Sequence, residues 1–247
     1  MDRFFSGEHG GPSLELFGMP HIIALIIVGL INVALLAVGQ RLSPRWRKIV
    51  RCTLASVLIV DEALWHLWNW TPGRWSVETT LPLHLCSILV FMSAILSVDK
   101  SYGLYEFVYL LAIAGASKAL LTPDAGAYGF PHFCFFQTFI FHGSIVTAAV
   151  CITAVEGCRP TLQSIKRILI RGNIYAVLVG IINALLGSNY LFVAHKPATA
   201  SLLDVLPPWP LYLPILEAIA LVMIGLLPFA IKDLKAGQAT PDTAALT

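Results

Sequence analysis

The chain has 247 residues, of which 57% are hydrophobic and 12% charged, with a mean hydropathy of +0.78 and a formal net charge of +2. A soluble domain carries about 25% charged residues, so this composition points to an integral membrane protein with most of its length in the bilayer. A nucleic-acid partner is excluded, because no basic helix and no aromatic-basic interleaving occurs. The five cysteines, Cys52, Cys86, Cys134, Cys151 and Cys158, form no CxxC pair, and neither a disulfide framework nor a zinc ribbon is expected.

The first 18 residues hold acids and glycines but no basic n-region, so the apolar run after them reads as an anchor rather than a cleaved signal. Apolar segments of spanning length follow at 19–40, 49–70, 80–98, 103–122, 133–155, 169–188 and 211–231. Each is bounded by charges, Pro or Gly. Backbone groups in lipid must bond internally, and no alternating ten-residue strands occur, so the segments are helices. The expected fold is all-α, a polytopic helical bundle of about seven transmembrane helices over 19–231. Arg41, Arg45, Arg47, Lys48, Arg51, Lys100, Arg159, Lys166, Arg167, Arg171, Lys232 and Lys235 all fall on one side of such a bundle. That bias sets the N-terminus outside and the C-terminus in the cytoplasm. A six-span alternative drops 80–98 or 133–155. Residues 188–210 are rich in proline and aromatics, with Pro207, Pro208 and Pro210 stiffening the segment, and read as a structured outer cap. The tail at 232–247 is small and polar and is expected to be disordered.

The second segment closes on Asp61 to Trp70, DEALWHLWNW. At about 100° per residue, Asp61, Glu62, Trp65, His66 and Asn69 share roughly 140° of one helix face. Ionisable groups at membrane depth cost about 2.5–3.5 kcal/mol each and usually face a bundle interior or a wet cavity. An interfacial tryptophan belt explains Trp68 and Trp70 but not the two acids. On the expected topology His84, Lys118, Asp124, Gln137, His142, Asn183, Asn189 and Glu217 also lie toward the outer side, whereas the inner half offers little beyond Glu106 and Cys151. This asymmetry predicts one outward-facing polar chamber.

Glu62 and His66 are spaced i, i+4 and can act as an acid/base couple or as a structural bond. Lys118 is expected to pair with an acid from another helix. Cys86 is a thiolate nucleophile if a histidine lies close and a small core residue otherwise. No HxxxH or HExxH spacing occurs, so no metal and no cofactor are expected. On a continuous helix His84 and Cys86 diverge by about 200°; a late start after Pro82 would relieve this.

The segments LPLHLCSIL (81–89), ALLTPD (119–124), FHG (141–143), NYLF (189–192), HKP (195–197), SLLDVLPPWPLY (201–212) and LPF (227–229) resemble a YwaF-like family of bacterial integral membrane proteins. Pro207 stands where that family has Gly. The family is similar, more remotely, to a eukaryotic transmembrane phospholipid acyltransferase that works through a cysteine in a Pro-Cys-His context. The corresponding stretch is Pro82-Leu83-His84, so Leu83 occupies the nucleophile position, His84 carries over, and His142 is the second histidine. The resemblance implies a multi-pass protein of the bacterial cell membrane, with membrane lipids as partners. The expected function is a lipid acyltransferase or lipid hydrolase with His84 and His142 as base and acid. Glu62 and His66 would orient them, and Asp61, Lys118, Asp124, Gln137, Asn189 and Lys196 would bind the lipid substrate. The alternative is a proton-linked carrier or binding protein for a small polar solute, built on Glu62, His66 and Lys118.

Overall fold

The computed structural model describes residues 4–7, 12–123, 128–197 and 202–231. The expected tail at 232–247 and Asp124 lie outside the described residues. Within them the protein is helical throughout, with no strand. Seven helices follow one another: α1 (Met19–Val38), α2 (Pro44–Trp70), α3 (Leu85–Asp99), α4 (Tyr102–Leu121), α5 (Phe133–Glu156), α6 (Leu162–Leu186) and α7 (Tyr212–Ile231).

Their ends follow local chemistry. Pro20 and Pro44 open α1 and α2, where the missing N–H costs nothing. Thr161 and Ser164 form a reciprocal capping box at α6. Gly157 and Gly187 end α5 and α6 in the left-handed conformation, at φ 77° and 68°.

α5 is the central post, buried along most of its length and packed by α1, α2, α3 and α4. α1 is the opposite case: His21 is its one buried residue. Two small residues let α1 approach α5. A Cβ on Gly143 would sit 2.9 Å from Val28, and one on Gly39 would meet the Ala154 backbone at 3.1 Å.

By length and composition, Met19–Arg41, Tyr102–Leu121, Phe133–Glu156 and Leu162–Leu186 can each cross a membrane. α2 has the length, at 27 residues, but its charges and polar groups lower its hydropathy. α3 has 15 residues, and α7 is apolar over Tyr212–Ile224. The third segment thus differs from the expected 80–98. Residues 80–84 are not helical, and His84 sits at the N-cap position of α3 with extended backbone. Pro82 lacks an N–H and restricts Leu81, which favours this late start.

The two ends of the bundle differ in kind. One gathers the arginines. Arg47 donates to the carbonyls of Leu42, Val155 and Gln40 at 2.9, 2.8 and 2.6 Å, tying the α1–α2 turn to the end of α5. Arg51 pairs with Glu156 and donates to the Ser97 carbonyl. Buried Glu106 accepts from Ser164 and from two nitrogens of Arg167. The arginine-rich end therefore holds more polar groups than Glu106 and Cys151 alone, and these groups are paired with one another across helices. The other end carries the connections at 71–84 and 187–211 and part of the N-terminal segment. Trp68 donates to the Phe5 carbonyl, Phe133 N–H to Phe4, and the Arg74 guanidinium lies 3.9 Å over the Trp68 ring.

Candidate functional site

Residues 71–84 join α2 to α3; Val77–Thr79 are exposed and Thr80–His84 half-buried. Tyr190 fixes this stretch: its hydroxyl accepts from the Leu81 N–H at 2.8 Å and donates to the Val77 carbonyl at 2.8 Å. Burial pushes the Tyr190 phenol pKa up, so the proton needed for the second bond stays in place. Tyr175 on α6 donates to the Leu83 carbonyl at 2.9 Å. Non-helical backbone at membrane depth is tolerated where protein buries it or where it lines a wet cavity.

Two local features shape the region. The His84 side chain makes no capping bond, so the Leu85, Cys86 and Ser87 N–H groups that open α3 have no partner among the described residues. Opposite, α4 contains a π turn at Ala112–Ala116, just before Ser117 and Lys118. A Cβ on Gly115 would lie 3.7 Å from the Leu85 side chain, so the π turn and the start of α3 are at one level. Single π turns recur at functional sites. Lys118 is exposed, acts electrostatically on the Cys86 thiol, and has no acid within salt-bridge distance among the described residues. Its expected acid partner is not found there.

Hydrogen bonds sort the histidines. His21 accepts from Phe17 N–H and donates to the Leu120 carbonyl, closing α1 onto α4. His132 accepts from Cys134 N–H and bonds the Ser6 carbonyl. His66 accepts from the Trp75 indole at 3.0 Å and turns its other nitrogen to Glu62 at 3.4 Å. Each of these three has both ring nitrogens engaged.

His84 and His142, each half-buried, are different. His84 Nδ1 accepts from the Leu191 N–H at 3.4 Å, with the ring held between Tyr190 and Phe192. His142 Nδ1 faces the Thr138 carbonyl at 2.9 Å. Neither Nε2 has a protein partner among the described residues. An amide N–H only donates, so a neutral His84 carries its proton on Nε2. A carbonyl only accepts, so His142 carries its proton on Nδ1 and presents a lone pair at Nε2.

The remaining predicted residues are placed as follows. Asp61 and Gln137, both buried, bond each other at 3.2 Å across α2 and α5. Glu62 is 4% exposed, and its Oε2 has no hydrogen-bond partner among the described residues. No hydrogen bond joins Glu62 or His66 to His84 or His142 among the described residues. Asn189 bonds the His195 carbonyl and accepts from the Ala194 and His195 N–H groups, so it shapes the cap internally. Lys196 donates to the Leu206 carbonyl at 2.7 Å and so braces the same cap. Sequence reasoning missed Trp75, Tyr175 and Tyr190. No group of three or more His, Cys, Asp or Glu able to hold a metal occurs among the described residues.

The model of the TMEM164 family matches residues 16–228, which includes every site residue above. The chain belongs to the TMEM164 family. With its apolar helices, this makes it a multi-pass membrane protein, in contact with membrane lipids. The match does not extend to the YwaF-like resemblance, nor does it carry a bacterial origin. No curated protein and no solved structure matches the chain.

Proposed function

We propose that this TMEM164-family protein is a membrane-embedded enzyme that transfers or hydrolyses a lipid acyl group at the start of α3. The observation that carries the reading is the pair of open Nε2 atoms, a proton donor on His84 and an acceptor on His142, on two helices that pack together. His142 takes the proton of the attacking hydroxyl or water as general base, and His84 gives a proton to the departing oxygen as general acid. This reverses the order expected from sequence. The uncapped N–H groups of Leu85, Cys86 and Ser87 are suited to stabilise the oxyanion formed when the acyl carbonyl is attacked. Lys118 attracts an anionic headgroup or carboxylate. Glu62, His66, Asp61 and Gln137 hold α2 in place, and Asn189 and Lys196 hold the cap.

The proposed topology has seven spans with the arginine-rich end in the cytoplasm, so the site opens outward. The grouping of Arg47, Arg51, Arg159, Arg167 and Arg171 at one end supports it. A second reading, a proton-linked carrier, is favoured by one observation: the Glu62 carboxylate is buried with an oxygen unpartnered.

The test is turnover of defined phospholipids by purified protein in liposomes, with product acyl groups followed by mass spectrometry. Wild type should exchange or release acyl chains, and His142→Ala and His84→Ala should not. Proton-coupled solute flux in the same liposomes without lipid turnover would establish the carrier instead.

A further inference from the structure

α1 and α2 both pack on α5 but scarcely touch each other. Between them runs a groove of about 1120 Å³, lined almost entirely by apolar side chains from Met19 at one end of α1 to Val38 and Leu42 at the other. A 20-residue helix measures about 30 Å, so the groove runs the depth of a bilayer core. Its volume slightly exceeds that of ordinary ligand pockets. Toward the arginine-rich end its lining includes small side chains: Gly143, Ser144 and Thr147 on the floor, Ala34 and Thr53 on the walls. Toward the other end Phe130, Phe135, Phe136 and Phe139 fill the floor.

The mouth at the arginine-rich end is basic. Arg41, next to Leu42, and Arg45, one turn before Ile49, are exposed beside it, while Lys48, also exposed, points to the opposite side of α2; none makes a hydrogen bond or ion pair among the described residues. Arg47, between them, is fully engaged by three carbonyls and unavailable to a ligand. Trp46 lies on the same face of α2 as the groove residues Ile49, Val50 and Thr53, and is 58% exposed. A tryptophan at this position sits at headgroup depth.

We infer that this groove is a binding site for an anionic phospholipid, with its acyl chains against Ala34, Thr53, Ser144 and Thr147 and its phosphate held by Arg41 and Arg45. Charge complementarity selects the occupant: two arginines without partners among the described residues flank an apolar slot that opens to lipid, and an anionic headgroup on two acyl chains satisfies both parts. A zwitterionic lipid fills the slot but gains less at the mouth. The site is separate from the proposed reaction centre, because His142 projects from α5 about 120° away from the groove floor. The bound lipid is therefore a fixed component of the α1–α2–α5 unit rather than a substrate.

The experiment reconstitutes the full chain in nanodiscs of equal phosphatidylcholine and phosphatidylglycerol, then identifies retained lipids by native mass spectrometry. Wild type should retain phosphatidylglycerol in several-fold excess over phosphatidylcholine. The double substitution Arg41→Gln, Arg45→Gln should keep a lipid but lose the preference, and Lys48→Gln should leave it unchanged. Ala34→Phe should lose retained lipid of both kinds, and Thr53→Phe, on the facing wall, should repeat that loss should Ala34→Phe not fold. Equal retention of the two lipids by wild type would overturn the inference. So would undiminished phosphatidylglycerol on a folded groove-filled variant, or a dimer carrying no lipid. Lipid turnover is read separately, so loss of the enzymatic reading leaves this result standing.

Discussion

The protein holds two histidine regions that residue type alone does not tell apart and that differ in structure. On α2, His66 lies between the Trp75 indole and Glu62, with both ring nitrogens occupied. On α3 and α5, His84 and His142 each bond through one nitrogen and leave the other open. A histidine bonded on both sides fixes neighbouring helices, whereas one bonded on one side is oriented and still able to exchange a proton. What distinguishes joint from tool is the neighbour of the second nitrogen, and residue type does not reveal that.

The contrast breaks most visibly at His142. His142→Ala should reduce lipid turnover by about 100- to 10,000-fold, the usual size of a lost general base, with a thermal midpoint near that of wild type. Turnover and thermal shift on one preparation check this, and wild-type turnover in the variant would end the proposed chemistry. Tyr190→Phe comes next. Losing the hydroxyl that holds Leu81 and Val77 should cost about 1–3 kcal/mol through unpaired backbone groups. Turnover should fall as well, because the start of α3 is no longer fixed; denaturation and rate measurements should move together.

His66→Ala sharpens the other side of the comparison. It should lower stability by about 1–3 kcal/mol, since the Trp75 indole and Glu62 lose their partner, while turnover per folded molecule stays within a few-fold of wild type. A stable but inactive His66→Ala would show that α2 takes part in the chemistry. The smallest effect is expected for Cys86→Ser, about 1–2 kcal/mol of stability with activity retained. Loss of turnover with folding intact would instead identify a thioester mechanism.

The α-helical class, the helix count and the basic end were legible from hydropathy and charge, because both follow from the bilayer as solvent. The start of α3 was not. LPLHL is apolar, and a hydropathy window cannot separate an extended apolar stretch held by Tyr190 and Tyr175 from a turn of helix; Pro82 was the one signal. Within the site, the i, i+4 spacing of Glu62 and His66 was readable, but Trp75 lies in a loop whose fold no periodicity reports. That no acid pairs with Lys118 among the described residues has a related origin. The π turn in AIAGA shifts every later residue around the helix, and small side chains give no sign of it. Asn189 and Lys196 were read as open to ligand because loop polarity resembles a binding surface; their bonds within the cap depend on the path of the backbone.

That π turn sets a register for the chain beyond it. One surplus residue within Ala112–Ala116 rotates Ser117–Leu121 by about 100° relative to an uninterrupted α-helix. The same offset aims Lys118 toward the start of α3 and presents the Leu120 carbonyl to His21 on the far side of α4. A single-residue deletion there would relax α4 to regular geometry and turn both groups away together. The cation beside Cys86 and the clasp on α1 are thus geared to one another, and neither can be repositioned along this helix without moving the other.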